Sequence, residues 1–412
     1  MAFAPSMHDI LTASTLMRTL FEKTPLHFSK ELSKHHGARI FLKREDCTPV
    51  RSYKIRGAYN KMNALRQDPS IQSVVTCSAG NHAQGVAYSC DAFKIRGYVY
   101  MPKNTTKQKI QRVQQLGGEY VKIFLEGNSF DECYAVARER ATIAEQPFIH
   151  PFDDKKVIEG QATVAHEIIN QINEPIDTLV LPIGGGGLAA GVSSYMRECS
   201  PSTQIIGTGP LGAPAMYQSL QQGSIVKLNT IQSFVDGASV KSVGSLNFPI
   251  VQKNLHTMLQ VDEGHVCSKI LQMYNECGLI LEPAGVLSLC GLDLMNPSEI
   301  KGKTIVAILS GGNSDVFRMP EIFERSLQYE GRKHYYRIEF AQRAGALKDF
   351  ALNVLGKEDD IIYFRYTKRI NQETGPVILG LETKSKEDSL RIERAMEAAG
   401  IQYEKLSGQV DL

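Results

Sequence analysis

The chain has 412 residues, 42% of them hydrophobic and 22% charged, with a formal net charge of +2. That length allows two or three domains and ample buried core. The near-neutral balance, with no basic block, excludes a nucleic-acid surface, and no run of eighteen uninterrupted apolar residues offers a membrane span.

In chain order, residues 1–20 carry His8, Asp9 and Arg18 and lack the apolar core of a signal peptide, so a cytoplasmic protein is expected. From about residue 37 to 315, short apolar runs alternate with longer amphipathic ones. Strands are predicted at 40–42, 73–76, 97–100, 119–123, 178–182, 204–207 and 304–309, and helices at 58–65, 107–116, 129–145 and 156–171. This alternation predicts an α/β region with a parallel sheet covered on both faces. Several strands run into glycine-rich turns, where ligands bind beyond the strands' carboxyl ends. Past residue 320 the texture changes. A charged helix at 321–329 leads to a basic link, then strand 335–340, helix 346–355, strands 361–367 and 377–381, helix 386–399 and strand 401–405. That β-α-β-β-α-β order is the ferredoxin-like α+β pattern. The expected division is a catalytic region of two α/β subdomains at 1–325, a linker at 326–333 and a separate domain at 334–408.

Eight cysteines are scattered, with no pair two or three residues apart. His35 and His36 are adjacent, and as helix neighbours they are expected to point apart. Buried reduced thiols and no structural metal are therefore expected.

Four stretches carry chemistry. Ser52-Tyr53-Lys54-Ile55-Arg56-Gly57-Ala58 puts a lysine where a loop turns into a helix, and a lysine amine can form a Schiff base with a carbonyl cofactor. Thr76-Cys77-Ser78-Ala79-Gly80-Asn81-His82 follows a strand and opens a helix; it suits an anion or is simply a tight connection. Ile183-Gly184-Gly185-Gly186-Gly187-Leu188 also joins strand to helix. Four glycines cost backbone entropy and add no packing, but they let successive amides wrap a phosphate. They match neither the Walker nor the dinucleotide pattern. Ser310-Gly311-Gly312-Asn313 ends a strand, with the Ser310 hydroxyl either in a crevice or capping the next helix.

In that order, with Glu282-Pro283-Ala284-Gly285, these stretches resemble the pyridoxal-phosphate enzymes of the tryptophan-synthase-β fold class (fold type II), and within it the serine/threonine dehydratases. The resemblance covers about residues 10–325. Residues 332–408 are similar to the ACT-like regulatory domain of biosynthetic threonine ammonia-lyases, in the short form with one copy, through Gln342-Arg343-Ala344-Gly345-Ala346-Leu347 and Glu373-Thr374-Gly375-Pro376. Two departures stand out: Gly207-Thr208-Gly209-Pro210 replaces a Gly-Val-Glu-type run, and Ala344 stands where proline is usual.

The resemblance implies pyridoxal 5'-phosphate as cofactor and Lys54 as its Schiff-base lysine and the acceptor of the substrate's Cα proton. It places Asn81 on the cofactor's ring oxygen, Gly184, Gly185, Gly186, Gly187 and Leu188 around its phosphate, and Ser310 at the pyridine nitrogen. Ser78 would contact the substrate carboxylate or assist the departing hydroxyl. The implied reaction converts L-threonine, and L-serine secondarily, to a 2-oxoacid and ammonia as the first step of isoleucine biosynthesis. Isoleucine is the implied inhibitor and valine its antagonist, in a homo-oligomer (tetramer or dimer) without nucleic-acid or membrane partners. The competing readings are a serine dehydratase or racemase, a catabolic threonine dehydratase, and a non-catalytic amino-acid sensor.

Overall fold

The computed structural model describes residues 3–367 and 372–406. The chain divides into two compact units, Met1–Val316 and Phe317–Leu412. Among the described residues, the first holds nine strands: β1 Leu26–Phe28, β2 Arg39–Arg44, β3 Ser73–Cys77, β4 Arg96–Met101, β5 Val121–Leu125, β6 Thr178–Pro182, β7 Gln204–Pro210, β8 Thr257–Val261 and β9 Thr304–Leu309.

These strands form two sheets. Six lie in the order β1-β2-β9-β6-β7-β8, parallel except for β1, and three lie in the parallel order β3-β4-β5. Every residue of β6 and β9 is buried, as expected of central strands with helices on both faces. Two strands escape the sequence pattern for physical reasons. β1 is only three residues long, and β8 is a half-exposed edge strand without clean alternation. β5 begins at Val121, because residues 118–120 form a short 3-10 turn.

The helices Lys54–Leu65, Lys155–Ile169 and Gly187–Cys199 pack through glycines. A Cβ on Gly160 would sit 2.5 Å from the Arg56 carbonyl oxygen and 2.6 Å from Gly57 Cα, and one on Gly191 would strike Ile158 and Ala162. These contacts hold the helix that starts at Lys54 and the helix that starts at Gly187 against one common partner.

Beneath Lys54–Leu65 lies a buried ion network. Arg56 meets Glu45 and Glu167 at 2.7 Å each, and Lys43 meets Glu167 at 2.6 Å. Thr24 and Thr163 complete the Arg56 bonds.

The expected divergence of His35 and His36 is corrected. Their rings meet edge to face with centroids 4.8 Å apart. The helix Lys30–His36 ends at His36, with Gly37 left-handed at φ 62°. The His36 ring turns towards Asp293, 3.4 Å away, so the angular offset between helical neighbours does not keep the two rings apart.

The second unit opens with the helix Met319–Tyr329. It continues through β10 Lys333–Ala341, helix Ala346–Asn353, β11 Asp360–Tyr366, β12 Thr374–Glu382, helix Lys386–Ala398 and β13 Tyr403–Leu406. Its antiparallel sheet runs β11-β12-β10-β13, the ferredoxin-like order, over a core of Tyr336, Ile338, Phe340, Phe350, Leu379 and Met396. The two stretches that carry the regulatory resemblance meet here, with Gln342 N–H donating to the Glu373 carbonyl at 2.8 Å. Residues 368–371 and 407–408 of the expected domain lie outside the described residues.

Candidate active site

Lys54 is the first residue of its helix, and the residues before it are pinned to the end of β9. Tyr53 N–H donates to the Ser310 carbonyl at 3.1 Å, Gly312 N–H donates to the Arg51 carbonyl at 2.9 Å, and Ser52 bridges Gly311. Lys54 therefore sits at the carboxyl end of a central parallel strand, where such sheets bind ligands. Its amine donates to the Pro151 carbonyl at 2.8 Å and lies 5.4 Å from the Tyr53 ring centroid. Burial brings its pKa down to about 8, against the opposing pull of Glu282. A surface lysine is almost wholly a solvated cation at pH 7; a pKa of about 8 leaves roughly a tenth of this amine as the free base that can act as a nucleophile.

The segment beside the amine also reaches the glycine run. A Cβ on Gly185 would lie 2.5 Å from the Phe152 ring, and one on Gly187 would lie 2.9 Å from the Phe152 carbonyl oxygen. Gly184 has no more room, since a Cβ there would meet the Ala238 carbonyl oxygen at 2.7 Å, and Gly186 adopts φ 94°. Asn247 Nδ2 donates to the carbonyls of Gly185 at 3.0 Å and Phe152 at 3.1 Å. With those carbonyls held outside, the loop leads into the first turn of Gly187–Cys199, whose amides have no intrahelical acceptor. Such an end accommodates a phosphate.

Asn81 opens the helix Asn81–Phe93. Its Nδ2 donates to Glu282 Oε1 at 2.6 Å, and its Oδ1 accepts from Asn313 Nδ2 at 2.8 Å. Asn313 also donates to the Val50 carbonyl, and Glu282 N–H donates to the Gly311 carbonyl at 3.3 Å. Ser310 is buried, with Oγ donating to the Ala284 carbonyl at 3.2 Å. Burial pushes the Glu282 carboxyl up to about 7; Asp236 raises it further and the Asn81 bond opposes the rise. Burial also keeps His82 and His150 neutral, with pKa values near 3 and 4. Ser78 shares the loop that leads to Asn81 and accepts the Gly80 N–H at 3.2 Å.

The fold thus brings Lys54, Asn81, Glu282 and Ser310 into one cluster, and residues 150–152 link it to Gly184–Leu188. Sequence reasoning gave no role to Asn313, the last residue of the Ser-Gly-Gly-Asn stretch, or to Asn247. Asn247 lies in no motif; only its contacts reveal it.

Residues 17–311 match the family described as pyridoxal-phosphate dependent enzyme. The chain belongs to that family. Residues 324–411 match the C-terminal regulatory domain of threonine dehydratase. Among curated relatives, the L-threonine dehydratase biosynthetic IlvA of Halalkalibacterium halodurans is 46% identical over 97% of this chain and 96% of its own length. That of Bacillus subtilis is 43% identical over 98% and 95%. Among solved structures, processed threonine deaminase isoform 2 of Solanum lycopersicum superposes with a TM-score of 0.72 at 34% identity, over 79% of this chain and 90% of that one. Maize serine racemase superposes with a TM-score of 0.72 at 28% identity, over 79% and 99%.

The residues present fit the family's cofactor. The glycine run is packed so closely on Phe152, Ala238 and Met216 that no Cβ fits, and it opens a helix whose first amides can take a phosphate. The partly desolvated amine of Lys54 suits a carbonyl, and two polar atoms at the site, Ser52 Oγ and Asn247 Oδ1, are buried without a partner. Among the described residues, no helix is long and apolar enough to cross a membrane.

Proposed function

We propose that this pyridoxal-phosphate dependent enzyme is an L-threonine ammonia-lyase, releasing 2-oxobutanoate and ammonia as the first step of isoleucine biosynthesis. The observation that carries the reading is the half-buried Lys54 amine, with a pKa of about 8, on a helix start whose preceding residue Tyr53 is pinned to Ser310 at the end of β9. Bound pyridoxal phosphate supplies an electron sink for the charge left at Cα. Lys54 holds the cofactor and accepts the Cα proton. Asn81 holds the ring oxygen, the amides of Gly184–Leu188 hold the phosphate, and the Ser310 hydroxyl faces the ring nitrogen. A hydroxyl there, unlike a carboxylate, leaves the nitrogen near neutral, so loss of the β-hydroxyl outcompetes racemisation and transamination. Ser78 contacts the substrate carboxylate or assists the leaving hydroxyl.

The match to a threonine dehydratase regulatory domain supports control of this step by isoleucine, with valine opposing it. Its working form in this reading is a cytoplasmic homo-oligomer, tetramer or dimer.

The purified protein is expected to release 2-oxobutanoate and ammonia in equal amounts from L-threonine. L-serine, one methyl smaller, is expected to be poorer by a factor of roughly 10–200 in kcat/KM. Conversion of L-serine to D-serine without a 2-oxoacid product would make the chain a racemase instead.

A further inference from the structure

We propose that His35, His36 and Asp293 form a binding site for a zinc-class divalent cation, apart from the pyridoxal-phosphate site. Among the described residues, this is the one group of three or more His, Cys, Asp or Glu side chains whose ligand atoms all lie within 4.8 Å of one another. His36 Nε2 stands 3.4 Å from Asp293 Oδ1. Two ligands of one tetrahedral zinc ion, with bonds of about 2.0–2.2 Å, are separated by about 3.3–3.5 Å.

The His36 side chain is only 8% exposed, and its Nε2 is buried without a hydrogen-bond partner. A buried ring nitrogen left unsatisfied and aimed at a carboxylate oxygen is costly unless something joins the two. The carboxylate is fixed from its other side. Asp293 Oδ2 accepts from His265 Nε2 at 2.8 Å and pairs with Lys269 Nζ at 2.7 Å. Groups of this kind orient a metal-binding carboxylate from the outer shell. His35, whose ring meets that of His36, supplies the third ligand from the exposed side, and water completes the set.

Two imidazoles and one carboxylate select zinc, nickel or cobalt over magnesium or calcium. The Lys269 ammonium repels an incoming cation, so binding is weaker than at a closed structural zinc site. The ion would clamp the end of helix Lys30–His36 to helix Leu287–Leu294, which follows the Glu282–Gly285 turn of the active site.

The test uses the full-length, tag-free, chelator-stripped protein, titrated with Zn²⁺ in a calorimeter and with Co²⁺ by visible absorption. One ion per chain and a cobalt band of low-symmetry coordination are expected. Removing a ligand is expected to cost at least as much as removing an outer-shell partner, so His35→Gln and His36→Gln are each expected to weaken binding by at least about tenfold, His36→Gln the more. His35 is on the surface, so His35→Gln is expected to melt like the parent in chelator yet to lose most of the rise in Tm that Zn²⁺ gives the parent. Absence of binding, or Zn²⁺ affinity unchanged in both variants, would overturn the proposal and leave His36–Asp293 a plain ion pair.

Discussion

At Glu282 a buried carboxyl with a pKa of about 7 meets the Asn81 amide at 2.6 Å, and its charge opposes the desolvation of Lys54. The sign of that coupling makes a prediction. Ionised Glu282 favours the protonated amine, so Glu282→Gln lets burial act alone and moves the Lys54 midpoint below about 8. Amine-modification rates of Lys54 against pH, measured on cofactor-free protein, check this; a midpoint that stays or rises counts against it. The site was legible in the sequence where its residues begin or end elements, as Lys54, Asn81 and Ser310 do, because turn chemistry marks such places. Asn247 was not legible. Its role arises from contacts with Gly185 and Phe152, 62 and 95 residues away in sequence.

Among the elements, the glycine run and the helix Lys54–Leu65 carry opposite kinds of constraint. The loop needs space. Gly185→Ala drives a methyl into the Phe152 ring, so it is expected to cost about 1–3 kcal/mol of stability in a urea melt, and to weaken cofactor binding in equilibrium dialysis of pyridoxal phosphate. The helix needs charge balance. Glu167→Gln leaves Arg56 and Lys43 short of a buried partner and is expected to cost roughly 3–5 kcal/mol in a urea melt.

Burial alone would raise the Glu167 carboxyl, but Arg56 and Lys43 outweigh it and hold it below the ordinary 4.5. The unfolded chain binds that proton more readily, so this stabilisation is complete above pH 4.5 and is lost as the pH falls below it. Urea midpoints of the parent are expected to drop over that acid range, and those of Glu167→Gln to drop less. Sequence periodicity found β6 and β9, whose apolar runs are wholly buried, but missed β1 and β8, where a short or half-exposed edge carries too little pattern. The ion network was invisible for another reason: Lys43, Glu45 and Arg56 look like surface charge until the fold buries them together.

At the scale of the whole molecule, a catalytic unit shared with racemases in fold is followed by a regulatory one, and that combination gives the chemistry a reason to be controlled. If isoleucine binds one global state better than the other, it must shift threonine saturation. A sigmoidal curve moved to higher threonine by isoleucine and restored by valine is expected in initial-rate titrations of the full-length protein. Indifference to isoleucine would favour the catabolic reading.

The second unit's β-α-β-β-α-β order was readable because each of its elements is short, regular and flanked by turn residues. The central claim, elimination from L-threonine that depends on Lys54, has a direct measurement: 2-oxobutanoate formed by the parent and by Lys54→Ala at equal protein and cofactor concentration. The account predicts steady product from a yellow parent, and from the variant a rate lower by at least about 10³-fold together with loss of the borohydride-sensitive visible band. A variant that forms 2-oxobutanoate at the parental rate would contradict it.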